Sequence, residues 1–237
     1  MEIKAVLFDL DGTLLPMDRD EFVKAYFGLL AKKLAPLGYE AEKLIKVLWI
    51  GVGAMVKNEG SGTNEEAFWK VFTSSYGEES LKDKPFIDSF YREEFNQVQA
   101  VCGFDKAAKE IVELVKEKGK LPVLATNPLF PHIATENRMR WAGLQPEMFA
   151  AYTTYEDCHF CKPNPKYYEE LLQKLDLKPE ECIMVGNDFD EDIVPTEKLG
   201  MQVFLLTDCM INKNNADISK YPHGDFEALR RYLEENL

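Results

Sequence analysis

Residues 5–15 read Ala5-Val-Leu-Phe-Asp-Leu-Asp-Gly-Thr-Leu-Leu15. Ile3 to Phe8 is a mostly apolar run of β-branched and aromatic side chains, short enough for a buried strand, and it ends in two carboxylates, Asp9 and Asp11. While the chain stays extended, residues two apart leave it on the same face. Both carboxylates therefore project together, and Gly12 allows a sharp exit. Two like charges about 4 Å apart repel by on the order of 4 kcal/mol at an effective dielectric near 20. A bound cation, a shared proton or both must relieve that.

Outward from this stretch the pattern changes twice. From about Asp18 to Phe95 apolar residues recur three and four apart (Phe22, Tyr26, Leu30, Leu34; Leu44, Val47, Leu48; Phe68, Val71, Phe72), which predicts helices with no strand between them. From Val101 on, helices and strands alternate. Helices are predicted over Asp105–Lys118, Pro131–Trp141, Pro165–Leu175, Asp192–Leu199 and Phe226–Leu233. Strands are predicted over Leu121–Ala125, Cys182–Val185 and Gln202–Leu206, with a weaker one over Ala150–Tyr155. Such alternation implies an α/β fold with a doubly wound parallel sheet. The opening strand belongs to that sheet, so residues 1–15 and 102–237 form a core domain and 16–101 an inserted all-helical domain. Asn58–Asn64, with Gly60-Ser61-Gly62, and Asn212–Asn215 are the segments most suited to flexible loops.

The totals bound the function. A chain of 237 residues, 46% hydrophobic and 29% charged, suffices for a real core. A net charge of −13, with no basic run, excludes nucleic acid as the expected partner and disfavours an anionic membrane. A small phosphorylated molecule remains compatible, because a metal and a few local cations can hold it. No apolar stretch approaches the roughly 20 residues of a membrane span, and Met1-Glu-Ile-Lys leads straight into a strand, not a signal peptide. Five cysteines without a framework fit a reducing compartment, so the expected location is cytoplasmic. A monomer is compatible with every motif.

In open α/β sheets, ligands gather beyond the carboxyl ends of the strands. After the first strand come Asp9 and Asp11; after Leu121–Ala125 come Thr126 and Asn127; after Cys182–Val185 comes Gly186-Asn-Asp-Phe-Asp-Glu-Asp192. Lys162, in Cys161-Lys-Pro-Asn-Pro165, precedes a helix on a backbone stiffened by proline.

Taken together and in this order, these residues resemble the four motifs of the haloacid dehalogenase superfamily. The resemblance covers Ile3–Leu15 and roughly Val101–Leu206, and it implies a Rossmann-like core with a helical cap inserted after the first motif. It also implies the chemistry of a magnesium-dependent phosphatase. Asp9 would attack phosphorus to form an aspartyl-phosphate, and Asp11 would protonate the leaving oxygen and then activate water. Thr126, Asn127 and Lys162 would hold the phosphoryl group, and Asp9, Asp11, Asp188 and Asp192 would surround the magnesium. Many members place Asp directly after the Gly of the last motif, where this chain has Asn187, so Asp188 is the first-choice metal ligand and Asp192 the second.

A phosphomutase of the same superfamily would share every core residue. A phospho-aspartate switch of the receiver type would be about half this length and would place paired acids differently. Asp188-x-Asp190-x-Asp192 opens like a calcium loop, but Ile193 and Leu199 stand where Gly and Glu are needed. Cys158-His-Phe-Cys161 has no second Cys/His pair to complete a zinc site; its proximity to Lys162 leaves oxidation as a way to disturb the site. Trp49, Trp69 and Trp141 lie on helical patterns and read as packing residues, although Trp49, Lys57 and Asn58 could face a substrate.

Overall fold

The computed structural model describes residues 2–237. Six strands form one parallel sheet: β1 (Ala5–Phe8), β2 (Leu121–Leu124), β3 (Ala151–Tyr152), β4 (Cys182–Gly186), β5 (Gln202–Leu206) and β6 (His223–Gly224), in the order β3-β2-β1-β4-β5-β6. This is the doubly wound, Rossmann-like arrangement expected from the alternation of elements. The chain builds outward from β1 through β2 to β3, then returns to lay β4 on β1's other side. The switch point therefore falls at β1, with Phe8 in register with both Leu124 and Val185.

Side-chain alternation explains the layers. Val6, Phe8, Ile183, Val185 and Phe204 face one side, where they pack with α5 (Lys106–Glu117), α6 (His132–Trp141) and α9 (Phe226–Asn236). Ala5, Leu7, Met184, Val203 and Leu205 face the other, against α7 (Pro165–Lys174) and α8 (Val194–Leu199). All of β1 is buried, which is why it reads as an unbroken apolar run.

Between β1 and α5 the chain is helical: α1 (Arg19–Leu34), α2 (Ala41–Val56), α3 (Asn64–Tyr76) and α4 (Lys84–Arg92), with shorter 3-10 turns between. The caps are legible locally. Asp18 accepts from the N–H groups of Asp20 and Glu21 to open α1, and Thr63 with Glu66 forms a capping box on α3. The two connections of this segment run side by side, Gly103 N–H donating to the Pro16 carbonyl at 2.7 Å.

Three features differ from the sequence expectation. β6 is only two residues long and carries no apolar signal. The acidic stretch Phe189–Ile193 winds as a π-turn before α8, so Asp192 precedes the regular helix instead of starting it. The Asn58–Asn64 loop is cross-braced: Asn58 donates to the Gly62 carbonyl and to Asn64 Oδ1, and accepts from Gly60 N–H. Among the described residues no helix is long and apolar enough to cross a membrane.

Candidate active site

The ladder β2-β1-β4 fixes where the site lies. Asp9 N–H donates to the Val185 carbonyl at 2.9 Å and Ala125 N–H to the Phe8 carbonyl at 2.7 Å, so Asp9, Thr126 and Asn187 all leave the same edge of the sheet. After Asp9 the chain reverses in a tight loop, with Thr13 N–H and Leu15 N–H both bonded to the Leu10 carbonyl. Gly12 adopts φ +86°, and a Cβ there would lie 2.3 Å from Asn187 Nδ2. Only glycine lets the two loops approach this closely.

Asp9 is buried, and its two oxygens are separately engaged. Oδ1 accepts from Lys162 Nζ at 2.8 Å and Oδ2 from Thr13 Oγ1 at 3.2 Å. The Lys162 ammonium also donates to Asp192 Oδ1 at 2.6 Å. Burial works against the Lys162 charge, and Asp192 and Asp9 outweigh it, holding its pKa well above the ordinary lysine value. Burial pushes Asp192 up to about 7, against the pull of Lys162 and with Asp9's charge adding to the rise.

Asp11 projects beside Asp9, but it is not paired with Lys162. Its Oδ2 accepts from Nη1 of Arg138, a fully buried guanidinium on α6. Arg138 is itself held by the Ala134 carbonyl and the Thr135 hydroxyl, and it stacks 4.3 Å over the Phe130 ring. Burial pushes the Asp11 carboxyl above its usual range; Arg138 opposes this and Asp9 reinforces it. Asp11 Oδ1 is buried without a hydrogen-bond partner.

Thr126 is buried at the end of β2, its carbonyl fixed by the Thr153 hydroxyl at 2.7 Å and the Tyr167 hydroxyl at 2.8 Å. Asn127 Nδ2 donates to Glu191 at 3.0 Å, which orients the amide, and Asn127 Oδ1 has no partner. Burial raises the Glu191 pKa, and the neighbouring Asp188 raises it further. In the acidic turn, Asp188 Oδ1 caps the N–H groups of Asp190 and Glu191, while Asp192 Oδ2 accepts from Asp188 N–H. Asp188 thus keeps one oxygen outside these bonds, whereas both oxygens of Asp192 are engaged by the protein. Asn187 is a brace: its Oδ1 accepts from Thr13 and its Nδ2 donates to the Cys209 carbonyl.

Asp9, Asp11, Thr126, Asn127, Asp188 and Asp192 all line one cavity of about 850 Å³ that continues between the helices of residues 19–92. Lys162 lies just beneath, reaching the cavity through Asp9. Among the described residues no three acidic, His or Cys side chains stand at metal-ligating spacing. The carboxylates nevertheless suit a magnesium ion chemically, since magnesium is commonly held by one or two carboxylates and several waters. The Asp188 oxygen that stays outside the turn's hydrogen bonds is an acceptor suited to such an ion.

A family model described as haloacid dehalogenase-like hydrolase matches residues 3–200, which include every site residue from Asp9 to Asp192. The chain belongs to that family. Among its curated relatives, a glyceraldehyde 3-phosphate phosphatase from Methanothermobacter thermautotrophicus is 27% identical, covering 92% of this chain and 94% of that one. The pyrophosphatase PpaX of Bacillus cereus is 28% identical over 84% of this chain and 81% of its own length. A 2-haloacid dehalogenase structure from Pseudomonas syringae pv. Tomato superposes with a TM-score of 0.64 at 21% identity, covering 98% of this chain and 99% of that one; a likeness this remote speaks for the fold alone.

Within this haloacid dehalogenase-like chain, the sequence motifs do not disclose Arg138. A signal existed: Ala134, Arg138 and Trp141 share one face of α6, so a cation stands on the stripe that should be apolar. Its neighbour Arg140, on the exposed face, shows no such placement. Trp49 and Trp69 line the cavity, whereas Asn58 serves the loop described above. Cys158 and Cys161 are buried, and burial pushes both thiols up, Cys158 to about 12. Raised thiols are the opposite of a reactive redox pair.

Proposed function

We propose that this hydrolase is a magnesium-dependent phosphatase of small phosphorylated molecules, working through an aspartyl-phosphate. The observation that carries the reading is the engagement of Asp9 at the sheet's switch point, where Lys162 Nζ at 2.8 Å and Thr13 at 3.2 Å fix a buried carboxylate facing the cavity. A carboxylate meets a phosphate dianion only if the repulsion is relieved, and Lys162 is placed to do that. Asp9 attacks phosphorus, the ester P–O bond breaks, and Asp11 gives its proton to the departing alkoxide. Its raised pKa suits a group that must begin protonated. Asp11 then takes a proton from water, the hydroxide goes to phosphorus, and Asp9 is regenerated as inorganic phosphate leaves.

Thr126 and Asn127 orient the phosphoryl oxygens at the end of β2. Magnesium, held by Asp9 and Asp188 with Asp192 behind them, would supply charge neutralisation at the phosphoryl group and leave the Asp11 carboxyl to move protons. Residues 16–101 act as a cap over the core of residues 1–15 and 102–237. The paired connections at Pro16 and Gly103 suit a hinge. The curated relatives, named as phosphatases of glyceraldehyde 3-phosphate and pyrophosphate, support phosphoryl hydrolysis here.

The test is phosphate release from p-nitrophenyl phosphate and other phosphomonoesters, with magnesium and with chelator, by the native chain and Asp9→Asn. Magnesium-dependent release abolished in the variant is expected. Full activity in Asp9→Asn would overturn the covalent route, and no release from any ester would overturn the phosphatase.

A further inference from the structure

The cavity has two chemically different halves. Its floor holds Asp9, Asp11, Asp188 and Asp192. Half-buried Glu191 stands beside them, and the remaining charged residues that line the cavity, Asp18, Arg19, Asp20, Asp208 and Lys213, are exposed and mark its rim. Beyond Phe22 the walls change character. Phe27, Leu34, Leu48, Val52, Met55 and Phe72 line the chamber, and no acidic or basic side chain of residues 22–91 does so.

The polar atoms in that half are few and neutral. The hydroxyls of Tyr26 and Tyr91 are bonded to each other at 2.7 Å. Burial pushes Tyr26 up to about 12 and Tyr91 well above the ordinary tyrosine value, so both stay un-ionised. Trp69 Nε1 is buried with no hydrogen-bond partner of good geometry, beside the Tyr155 hydroxyl.

We propose that the leaving group of this enzyme is an uncharged lipophilic alcohol, so that the substrate is an alkyl or aryl phosphomonoester with its head at Asp9 and its body among α1, α2 and α3. The inference rests on the phosphatase reading and adds the class of alcohol. A sugar or polyol phosphate would bury most of its hydroxyls against Leu, Val, Met and Phe, with only the Tyr26–Tyr91 hydroxyl pair and the Trp69 N–H to receive them, which costs binding at each hydroxyl left over. A second phosphate would meet no cation on those walls. An apolar chain meets mostly surface that gains from losing water, and the chamber is part of a cavity of about 850 Å³ in all, which has room for a phosphate head and a body of several carbons.

Normal primary alkyl phosphates isolate the chamber, because lengthening the chain scarcely alters the alcohol's acidity and hence the chemistry. For the native chain with magnesium, kcat/KM is expected to rise by about fourfold per added methylene from ethyl to hexyl phosphate. Glucose 6-phosphate should fall well below hexyl phosphate. Filling the chamber with Val52→Trp should cut the hexyl-to-ethyl ratio of kcat/KM at least tenfold. If that variant does not fold, the alkyl series on the native chain decides alone.

A flat or falling alkyl series, with ethyl or p-nitrophenyl phosphate still hydrolysed, overturns this inference and leaves the phosphatase standing. So does a ratio unmoved in folded Val52→Trp. No release from any ester overturns both.

Discussion

Arg138 on α6 donates to Asp11 Oδ2 across 127 residues of sequence, and it does so from a fully buried position. Lys162 holds Asp9 by the same logic from the other side. The two carboxylates of the opening motif, two residues apart, are thereby given separate cations. Their mutual repulsion is relieved unequally: Asp9 shares its cation with Asp192, while Asp11 has a dedicated one and still sits above its usual pKa because it is buried.

Arg138→Met removes the strongest of the charges that lower the Asp11 pKa, leaving only Lys162 and Arg19 against burial and the Asp9 charge, which raise it. Asp11 then stays protonated to higher pH. Leaving-group protonation survives, but the step in which Asp11 accepts a proton from water needs its ionised form. The limb of the kcat–pH profile governed by that ionisation should move to higher pH, with kcat at pH 7 falling. Deleting Arg138 also leaves the half-buried Asp11 carboxylate without its cation, so a lower thermal midpoint is expected as well. A variant with the same pH profile as the native chain would show that Arg138 only packs against Phe130.

Lys162→Met leaves Asp9 and Asp192 facing each other with no cation between them. Loss of such electrostatic support typically lowers kcat by roughly 10²–10³-fold. Because the two anions are buried, the metal-free protein should lose stability, and magnesium should restore more of it than it adds to the native chain. Paired thermal melts with magnesium and with chelator measure both. Equal magnesium effects in the two proteins would count against a shared charge cluster.

Much of this arrangement was legible beforehand. Ala5 to Phe8 announced a buried strand because parallel strands are covered on both faces, and the paired acids beyond it marked the ligand end of the sheet. Thr126 and Asp188 could be placed for the same reason. What stayed hidden depended on tertiary approach. Nothing in the chain indicates that Asn187 spends both ends of its amide on Thr13 and Cys209, and the helical spacing that sets Arg138 on the buried face of α6 does not name Asp11 as its partner. β6 escaped because His223 and Gly224 pair only through backbone, which leaves no pattern in side chains. The chamber among α1, α2 and α3 also escaped, because apolar residues facing a cavity and those filling a core have the same helical spacing.

Gly12→Ala tests the close approach of the first and last motif loops. The new methyl would lie 2.3 Å from Asn187 Nδ2, on a backbone at φ +86° that side chains with a Cβ rarely adopt. A destabilisation of roughly 1–3 kcal/mol is expected from the strain alone. The displaced Asn187 would also release Thr13, and with it one of the two bonds that orient Asp9. Activity should therefore fall even under conditions where circular dichroism reports a folded protein. Native kcat in folded Gly12→Ala would show that Thr13 is not needed to aim the nucleophile.

The acids of the cavity make magnesium binding depend on pH in a definite direction. Burial raises Asp11 and Glu191, and it pushes Asp192 up to about 7 against the pull of Lys162. An unfolded Asp titrates near about 4, so between those values the native chain binds more protons than the unfolded one. Stability of the metal-free protein should therefore decline as pH rises through that window. A dication competes with the proton on Asp192. Its affinity should grow with pH up to about 7, approaching tenfold per unit for one linked proton, and level off above that. The gain in thermal midpoint on adding magnesium should accordingly be larger at pH 8 than at pH 5.5, and Asp192→Asn should flatten the difference. A gain independent of pH in the native chain would mean that Asp192 is already ionised throughout this range, with the Lys162 ammonium dominating its burial.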